Sequence, residues 1–100
     1  MQMSYLNAKQ NEIVKNVKGR VRALLHPLRQ KILTVIKANG NKICVTDIYV
    51  KLRIEQSVAS QHLAILREAG FVKTKRDGKK IWYSVNDAEI KRFLRMCKQL

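Results

Sequence analysis

The sequence predicts a mainly α-helical domain with a small β-hairpin, an α+β fold, and three observations point to it. First, residues 46–85 contain a short amphipathic helix, a tight turn and a second helix whose N-terminal end is polar. Second, two β-rich runs joined by Asp77-Gly78 follow that helix. Third, helical patterns flank this block on both sides. This order is typical of a winged helix-turn-helix, and the 100 residues suit one domain, expected over residues 1–100.

The N-terminal third of the chain predicts two helices. Over residues 5–18, apolar residues recur among polar ones at Leu6, Ile13, Val14 and Val17. The second helix is expected to begin at His26-Pro27, because the N–H that proline lacks would be unpaired in a first turn anyway. It should end at Asn39-Gly40-Asn41, where a left-handed residue can terminate a helix.

The next segment predicts the first helix of the helix-turn-helix. Ile43-Cys44-Val45 favours a short β-strand, and the Thr46 hydroxyl suits the N-cap of a helix. That helix is expected over about residues 47–53. Its predicted buried side chains are Ile48, Val50 and Leu52.

The turn and the second helix of the motif come next. The turn is expected at Arg53-Ile54-Glu55, and the helix over about residues 56–69, ended by Gly70. The predicted inward face of this helix consists of Val58, Ala59, Leu63, Ile65 and Leu66.

The C-terminal third predicts a wing and a last helix. Phe71 and Val72 are expected to begin the first strand, and Asp77-Gly78 suits a two-residue type I′ turn, which needs positive φ at both positions. Apolar residues alternate along the return strand at Ile81, Tyr83 and Val85. Asn86-Asp87 is the predicted N-cap of a helix over about residues 88–99, whose apolar stripe is Ile90, Phe93, Leu94 and Cys97.

Composition favours a nucleic-acid partner. Lys and Arg number 21 against 7 Asp and Glu, a net charge of +14, and so basic a surface binds polyanions through counterion release. Charge alone also fits a ribosomal or membrane-surface protein, but the predicted fold places its second helix in the major groove of double-stranded DNA. No apolar run approaches the ~20 residues that span a bilayer. The N-terminus has no signal-peptide core, so we expect a cytoplasmic protein without a membrane partner.

Three sequence blocks resemble the ArsR/SmtB-type winged-helix repressors of bacteria. The blocks are HPLRQKIL, QSVASQHLAILREAGFV and DGKKIWYSV, and the resemblance covers about residues 20–90. It implies a homodimer joined through the first and last helices, about residues 5–18 and 88–99, and a repressor that leaves its operator when an inducer binds. The alternative for these two helices is that both simply cap the core of a monomer. A two-fold dimer predicts an inverted-repeat operator. The inducer stays unknown, as does whether one exists.

The resemblance also implies which residues of the second helix touch DNA. Short polar side chains such as Gln and Ser can reach base edges. The implied contacts are Gln56, Ser57, Ser60, Gln61 and His62. For His62 the alternative is a neutral histidine that packs beside Leu63 and orients a phosphate. Glu55 stands where the family often has serine; its carboxylate favours the helix dipole but would repel a phosphate.

Basic residues at the tip of the wing are further candidates for DNA contact. Arg76, Lys79 and Lys80 suit phosphate or minor-groove contact. The alternative for wing lysines is protection of an edge strand, which we assign to Lys73 or Lys75. Trp82 and Tyr83 are expected to pack within the wing rather than to stack on bases.

The sequence predicts no metal site and no cofactor. Many relatives bind metal through a Cys-x-Cys pair, and the matching segment here is Cys44-Val45-Thr46, with one thiolate left. Other relatives use Asp and His on the last helix, which contains no histidine in this chain. Asp87 and Glu89 alone would be a weak site.

Cys44 and Cys97 are the candidates for a thiol switch. A disulfide requires Cα atoms within ~7 Å, and a reactive thiol must be exposed with a lowered pKa. Arg95 and Lys98 would favour a Cys97 thiolate. The alternative is that both cysteines are small core residues, because Cys97 falls on an apolar stripe and Cys44 lies between Ile43 and Val45.

The sequence also bears on two other classes of protein, enzymes and non-specific interaction modules. There is no Gly-rich phosphate loop, nucleophile elbow or pair of catalytic carboxylates, so no enzyme activity is expected. The alternative function is a winged-helix module for non-specific nucleic-acid or protein interaction. Sequence preference in DNA binding distinguishes it from a regulator.

Overall fold

The computed structural model describes the backbone of residues 8–99 and the side chains of residues 17–99. Within this range the chain forms five α-helices and three β-strands. In chain order these are α1 (Ala8–Leu25), α2 (Pro27–Ala38), β1 (Ile43–Cys44), α3 (Val45–Leu52), α4 (Gln56–Glu68), β2 (Val72–Asp77), β3 (Lys80–Val85) and α5 (Asp87–Lys98). The predicted α+β winged helix-turn-helix is confirmed.

The first helix is longer than its predicted end at residue 18. It continues to Leu25 because the apolar spacing persists through Val21 and Leu24, which pack against the core, and Ala23 is buried. Residues 5–7 of the predicted helix, and the side chains of residues 5–16, lie outside the described part of the chain.

The predicted boundaries of α2 are confirmed. His26 occupies the N-cap, and its Nδ1 accepts a hydrogen bond from the backbone N–H of Leu28 at 3.1 Å. At the other end, Gly40 and Asn41 both adopt positive φ, of 73° and 58°. The Asn41 side chain accepts from the N–H of Val85 and donates to its carbonyl, so this turn is fastened to the end of β3.

Two predictions for α3 are wrong. The helix begins at Val45 with Cys44 in the N-cap position, so Thr46 is not the cap. The reason is that β1 pairs with β3, Cys44 opposite Trp82, and the chain passes directly from strand to helix. Val50 is 61% exposed, because it lies two residues from the fully buried Ile48 and therefore on the opposite face.

The same geometry corrects the inward face of α4. Ala59, Leu63 and Leu66 are fully buried, whereas Ile65 is 40% exposed. Ile65 lies about 200° around the helix from Leu63. Gly70, with φ of 87°, follows the helix as predicted.

The three strands form an antiparallel sheet in the order β1-β3-β2. Asp77 pairs with Lys80, so the hairpin loop consists of Gly78 and Lys79. Among these residues only Gly78 has positive φ, 64°. The predicted type I′ turn centred on Asp77-Gly78 is therefore wrong, and positive φ at the first loop position alone is the pattern of a type II′ turn.

A single hydrophobic core holds the helices against the sheet. Its largest fully buried side chains are Phe71, Phe93, Ile32, Ile36, Ile43, Ile48, Leu63 and Leu66. Phe71 and Phe93 pack with ring centroids 5.5 Å apart, which joins the start of the wing to α5. Asn86 caps α5 as predicted by accepting from the N–H of Glu89. Among the described helices, none is long and apolar enough to cross a membrane.

Candidate nucleic-acid interface

The N-terminal half of α4 presents a polar surface to solvent. Its opposite face is anchored in the core by Ala59, Leu63 and Leu66. Four of the five side chains predicted to touch DNA on this helix are exposed, namely Gln56, Ser57, Ser60 and Gln61. Each can donate and accept hydrogen bonds, so the surface can recognise base edges.

His62, the fifth predicted contact, is only partly exposed and lies on the flank of α4 that faces α2. Its Nδ1 is 3.1 Å from a guanidinium nitrogen of Arg29, and its ring centroid is 4.7 Å from that of His26. Burial lowers the pKa of His62 below its ordinary 6.5, and the charges of His26 and Arg29 lower it further. Both effects disfavour the protonated form of this histidine, and its contact with DNA stays a prediction.

Sequence reasoning missed Arg29 and His26 as members of this cluster. Arg29 is the one buried charged residue in the described part of the chain, 8% exposed. The sequence held one possible signal, because Arg29 falls between the apolar residues Leu28 and Ile32 of the α2 pattern. A charge on the buried side of a helix needs a partner, so a polar contact from another element could have been expected.

Glu55 lies at the N-cap of α4 but does not cap it with its side chain. Its backbone is extended, and within the described residues the carboxylate makes no capping hydrogen bond. The carboxylate is exposed beside the polar surface of α4. It therefore adds negative charge beside that surface.

The wing exposes its three predicted contact residues, Arg76, Lys79 and Lys80. The strand register places Arg76 opposite Ile81 and Lys80 opposite Asp77, so Arg76 and Lys80 project from opposite faces of the hairpin. Lys80 Nζ also lies 5.7 Å from the Trp82 ring centroid, and Lys42 Nζ lies 4.8 Å from it. These contacts support packing, not base stacking, as the role of the tryptophan.

Both cysteines are unpaired and half-buried. Within the described residues, no group of three or more His, Cys, Asp or Glu side chains is arranged to hold a metal ion. The predicted thiol switch stays a prediction.

Comparison with known proteins gives the family. The sequence pattern described as "Bacterial regulatory protein, arsR family" matches residues 26–74. The chain is 32% identical to the cadmium resistance transcriptional regulatory protein CadC homolog of Staphylococcus aureus, over 87% of this chain and 69% of that protein. It is 29% identical to the transcriptional activator HlyU of Vibrio cholerae, over 80% of this chain and 72% of HlyU.

A solved structure agrees with these relatives. The crystal structure of NolR from Sinorhizobium fredii superposes with a TM-score of 0.68 at 30% identity, covering 98% of this chain and 95% of that chain. The fold, the exposed polar helix and the matched sequences lead to one conclusion, which confirms the resemblance noted above. The chain belongs to the ArsR family of bacterial regulatory proteins, which are DNA-binding transcriptional regulators and not enzymes.

Proposed function

We propose that the protein is a homodimeric, sequence-specific repressor that binds an inverted-repeat operator in double-stranded DNA without a metal at the usual family sites. The observation that carries this proposal is the polar surface of α4, where Gln56, Ser57, Ser60 and Gln61 are exposed on a helix fixed in the core. Such a helix fits the major groove, which distinguishes all four base pairs.

The wing supplies the second contact to DNA in this proposal. Arg76 and Lys79 at the hairpin tip are exposed cations, and Lys80 is exposed on the other face of the hairpin. Long basic side chains on a two-stranded projection reach the phosphates that flank the groove. These contacts position α4 without reading sequence themselves.

Dimerisation is proposed through α1 and α5. Leu94 lies on the apolar stripe of α5 and is 49% exposed, beside the fully buried Phe93. An exposed leucine next to a buried stripe is what a partner helix would cover. Two-fold pairing of these helices would present two copies of α4 to successive major grooves.

Selection of duplexes from a random DNA pool, followed by affinity measurement, tests the proposal. We expect an inverted repeat, and affinity that falls with salt at a slope of about −5 to −9 if ~6–10 phosphates are neutralised per dimer. A promoter fusion then measures the sign of control, which matters because HlyU is named an activator. Equal affinity for random duplexes would refute the proposal and favour the non-specific interaction module.

Regulation by Cys44 and Cys97 is a separate proposal. Both cysteine residues are half-buried. Operator affinity measured under reducing and oxidising conditions, with labelling of both thiols in the native protein, tests it. If both thiols are unreactive and oxidation does not change the operator affinity, the thiol switch is refuted and the repressor proposal is unaffected.

A further inference from the structure

Arg29 connects the end of α1 to the flank of α4. Its Nε donates to the carbonyl of Ala23 and its Nη2 to the carbonyl of Arg22, both at 2.9 Å. Its Nη1 lies 3.1 Å from Nδ1 of His62. A guanidinium has no acceptor, so His62 Nδ1 must be the acceptor and carry no proton. The neutral ring of His62 therefore has its proton on Nε2.

His26 is constrained in the same way. Its Nδ1 accepts the N–H of Leu28, so its proton in the neutral form is also on Nε2. The two rings are neighbours, with centroids 4.7 Å apart and planes inclined by 50°. Neither Nε2 has a hydrogen-bond partner among the described residues, which leaves two N–H donors on adjacent rings.

The charge behind these rings lacks a counterion. Arg29 is 8% exposed, yet the ion pairs of the described residues involve only Asp87 and Glu89 as acids, neither of them with Arg29. A buried charge is costly unless it is paired. An anion bound at the two rings would be stabilised by this guanidinium.

We propose that the Nε2–H groups of His26 and His62 together donate to one phosphodiester group of the DNA backbone, with the Arg29 charge behind them. We call this pair of rings the histidine seat. It rests on the proposed function, in which α4 occupies the major groove. The seat would bind the backbone at the side of the groove where α2 begins, and His26 would be a DNA contact that neither composition nor motif indicated.

Asparagine substitutions test the seat with little disturbance of the fold. In H62N and H26N the amide oxygen can replace Nδ1 as acceptor for Arg29 or Leu28, while the distal N–H donor is lost. H62Q is the matched control, because glutamine places a polar nitrogen near the position of Nε2. Thermal melts of all variants verify folding.

On the selected operator we expect H62N and H26N each to lose roughly tenfold in affinity per protomer, as for a hydrogen bond to a charged group. H62Q should lose less than H62N. Because both donors serve one phosphate, the double variant should lose less than the product of the single losses. Folded asparagine variants that bind as tightly as the wild type would refute the seat and leave the regulator intact.

Neutral methylphosphonate substitutions along the operator identify the phosphate. One substitution per half-site should lower the operator affinity of the wild type but leave the affinity of the H26N/H62N double variant unchanged. If no position in the operator behaves in this way, the proposal is overturned. If the wild type itself shows no sequence preference in DNA binding, the proposed function is refuted, and the histidine seat, which rests on it, is refuted as well.

Long-range ¹H–¹⁵N spectra of the free protein add a readout independent of affinity. Both rings should be in the Nε2–H form, and a proton on either Nδ1 would contradict the assignment. Inorganic phosphate serves as the second probe. Ring signals that respond to phosphate alone, with no loss of operator affinity in the asparagine variants, would identify a free-anion site and overturn the DNA contact.

Discussion

Arg20 of α1 and Glu89 of α5 form an ion pair across 69 positions of sequence. The same guanidinium donates from Nε to the carbonyl of Ala69 at 3.0 Å and lies 4.5 Å from the ring centroid of Phe93. One side chain thus joins α1, the end of α4 and α5. Because α1 and α5 are the proposed dimerisation helices, this pair sets their relative position.

Acid should weaken the fold through Glu89. Hydrogen bonds from Arg92 and Arg20 lower the pKa of Glu89 from its ordinary 4.5 to about 2. A lowered carboxyl pKa contributes stability above pH 4.5, which is lost as the pH falls from 4.5 toward 2. We expect E89Q to lower the melting temperature at pH 7 and to flatten its decline in that interval. E68Q removes an exposed carboxylate of α4 and serves as control; an equally steep decline in E89Q would contradict the assignment.

Arg53 should be replaceable by glycine with a gain in stability. It is not a glycine, yet its φ is 55°, and within the described residues its side chain forms no hydrogen bond or ion pair that offsets this conformation. A left-handed backbone costs an L-residue about 1 kcal/mol or more, and glycine avoids this cost. Glycine also gives the unfolded chain more conformational entropy, which offsets part of the gain in stability. We expect R53G to raise the free energy of unfolding by up to about 1 kcal/mol in urea titrations.

Asn41 provides the contrasting case. Its φ of 58° is equally left-handed, but its side chain makes two hydrogen bonds to the backbone of Val85. N41G should therefore lower the free energy of unfolding by about 1–2 kcal/mol, measured in the same titration. A gain in stability in N41G would mean that relief of backbone strain outweighs the two hydrogen bonds to Val85. A loss in R53G would mean that the left-handed conformation of Arg53 is not a net cost to the fold.

Leu94 should be needed for dimerisation. It is 49% exposed on α5, so L94E should leave the protomer core intact while placing a charge in the proposed interface. Light scattering after size-exclusion chromatography should report a monomer for L94E at concentrations where the wild type is a dimer. A88E adds the same charge at an exposed position of α5 and should remain dimeric. A dimeric L94E would place the interface elsewhere.

Gln61 and Lys79 should affect DNA binding differently. Gln61 is exposed on α4, so Q61A should reduce discrimination at one operator position by about 1–3 kcal/mol. Lys79 lies in the hairpin loop, so K79A should weaken binding to all duplexes and make the salt slope shallower by about one per protomer. Fluorescence anisotropy on operator and mismatched duplexes separates the two effects; uniform weakening in Q61A would exclude base recognition by Gln61.

The sequence could predict those parts of the candidate interface in which the exposure of a side chain depends only on its position along its own helix. Gln56, Ser57 and Gln61 lie on an amphipathic helix with a clear core stripe, so their exposure followed from spacing alone. Arg29 and His62 are 33 positions apart in sequence, and their contact depends on how α2 packs against α4. No local pattern contains that information, and it was missed.

The sequence by itself determined the order of the elements and most of their ends, because caps and breakers act on neighbouring residues. His26-Pro27, Gly70 and Asn86 mark helix boundaries through contacts within a few residues. Tertiary structure decided what depends on distant partners. Pairing of β1 with β3 moved the start of α3 to Val45, and the strand register moved the hairpin loop to Gly78-Lys79. Tertiary structure also decided which face of a helix is buried. Val50 and Ile65 are apolar residues, but they face solvent because the core lies against the opposite side of each helix.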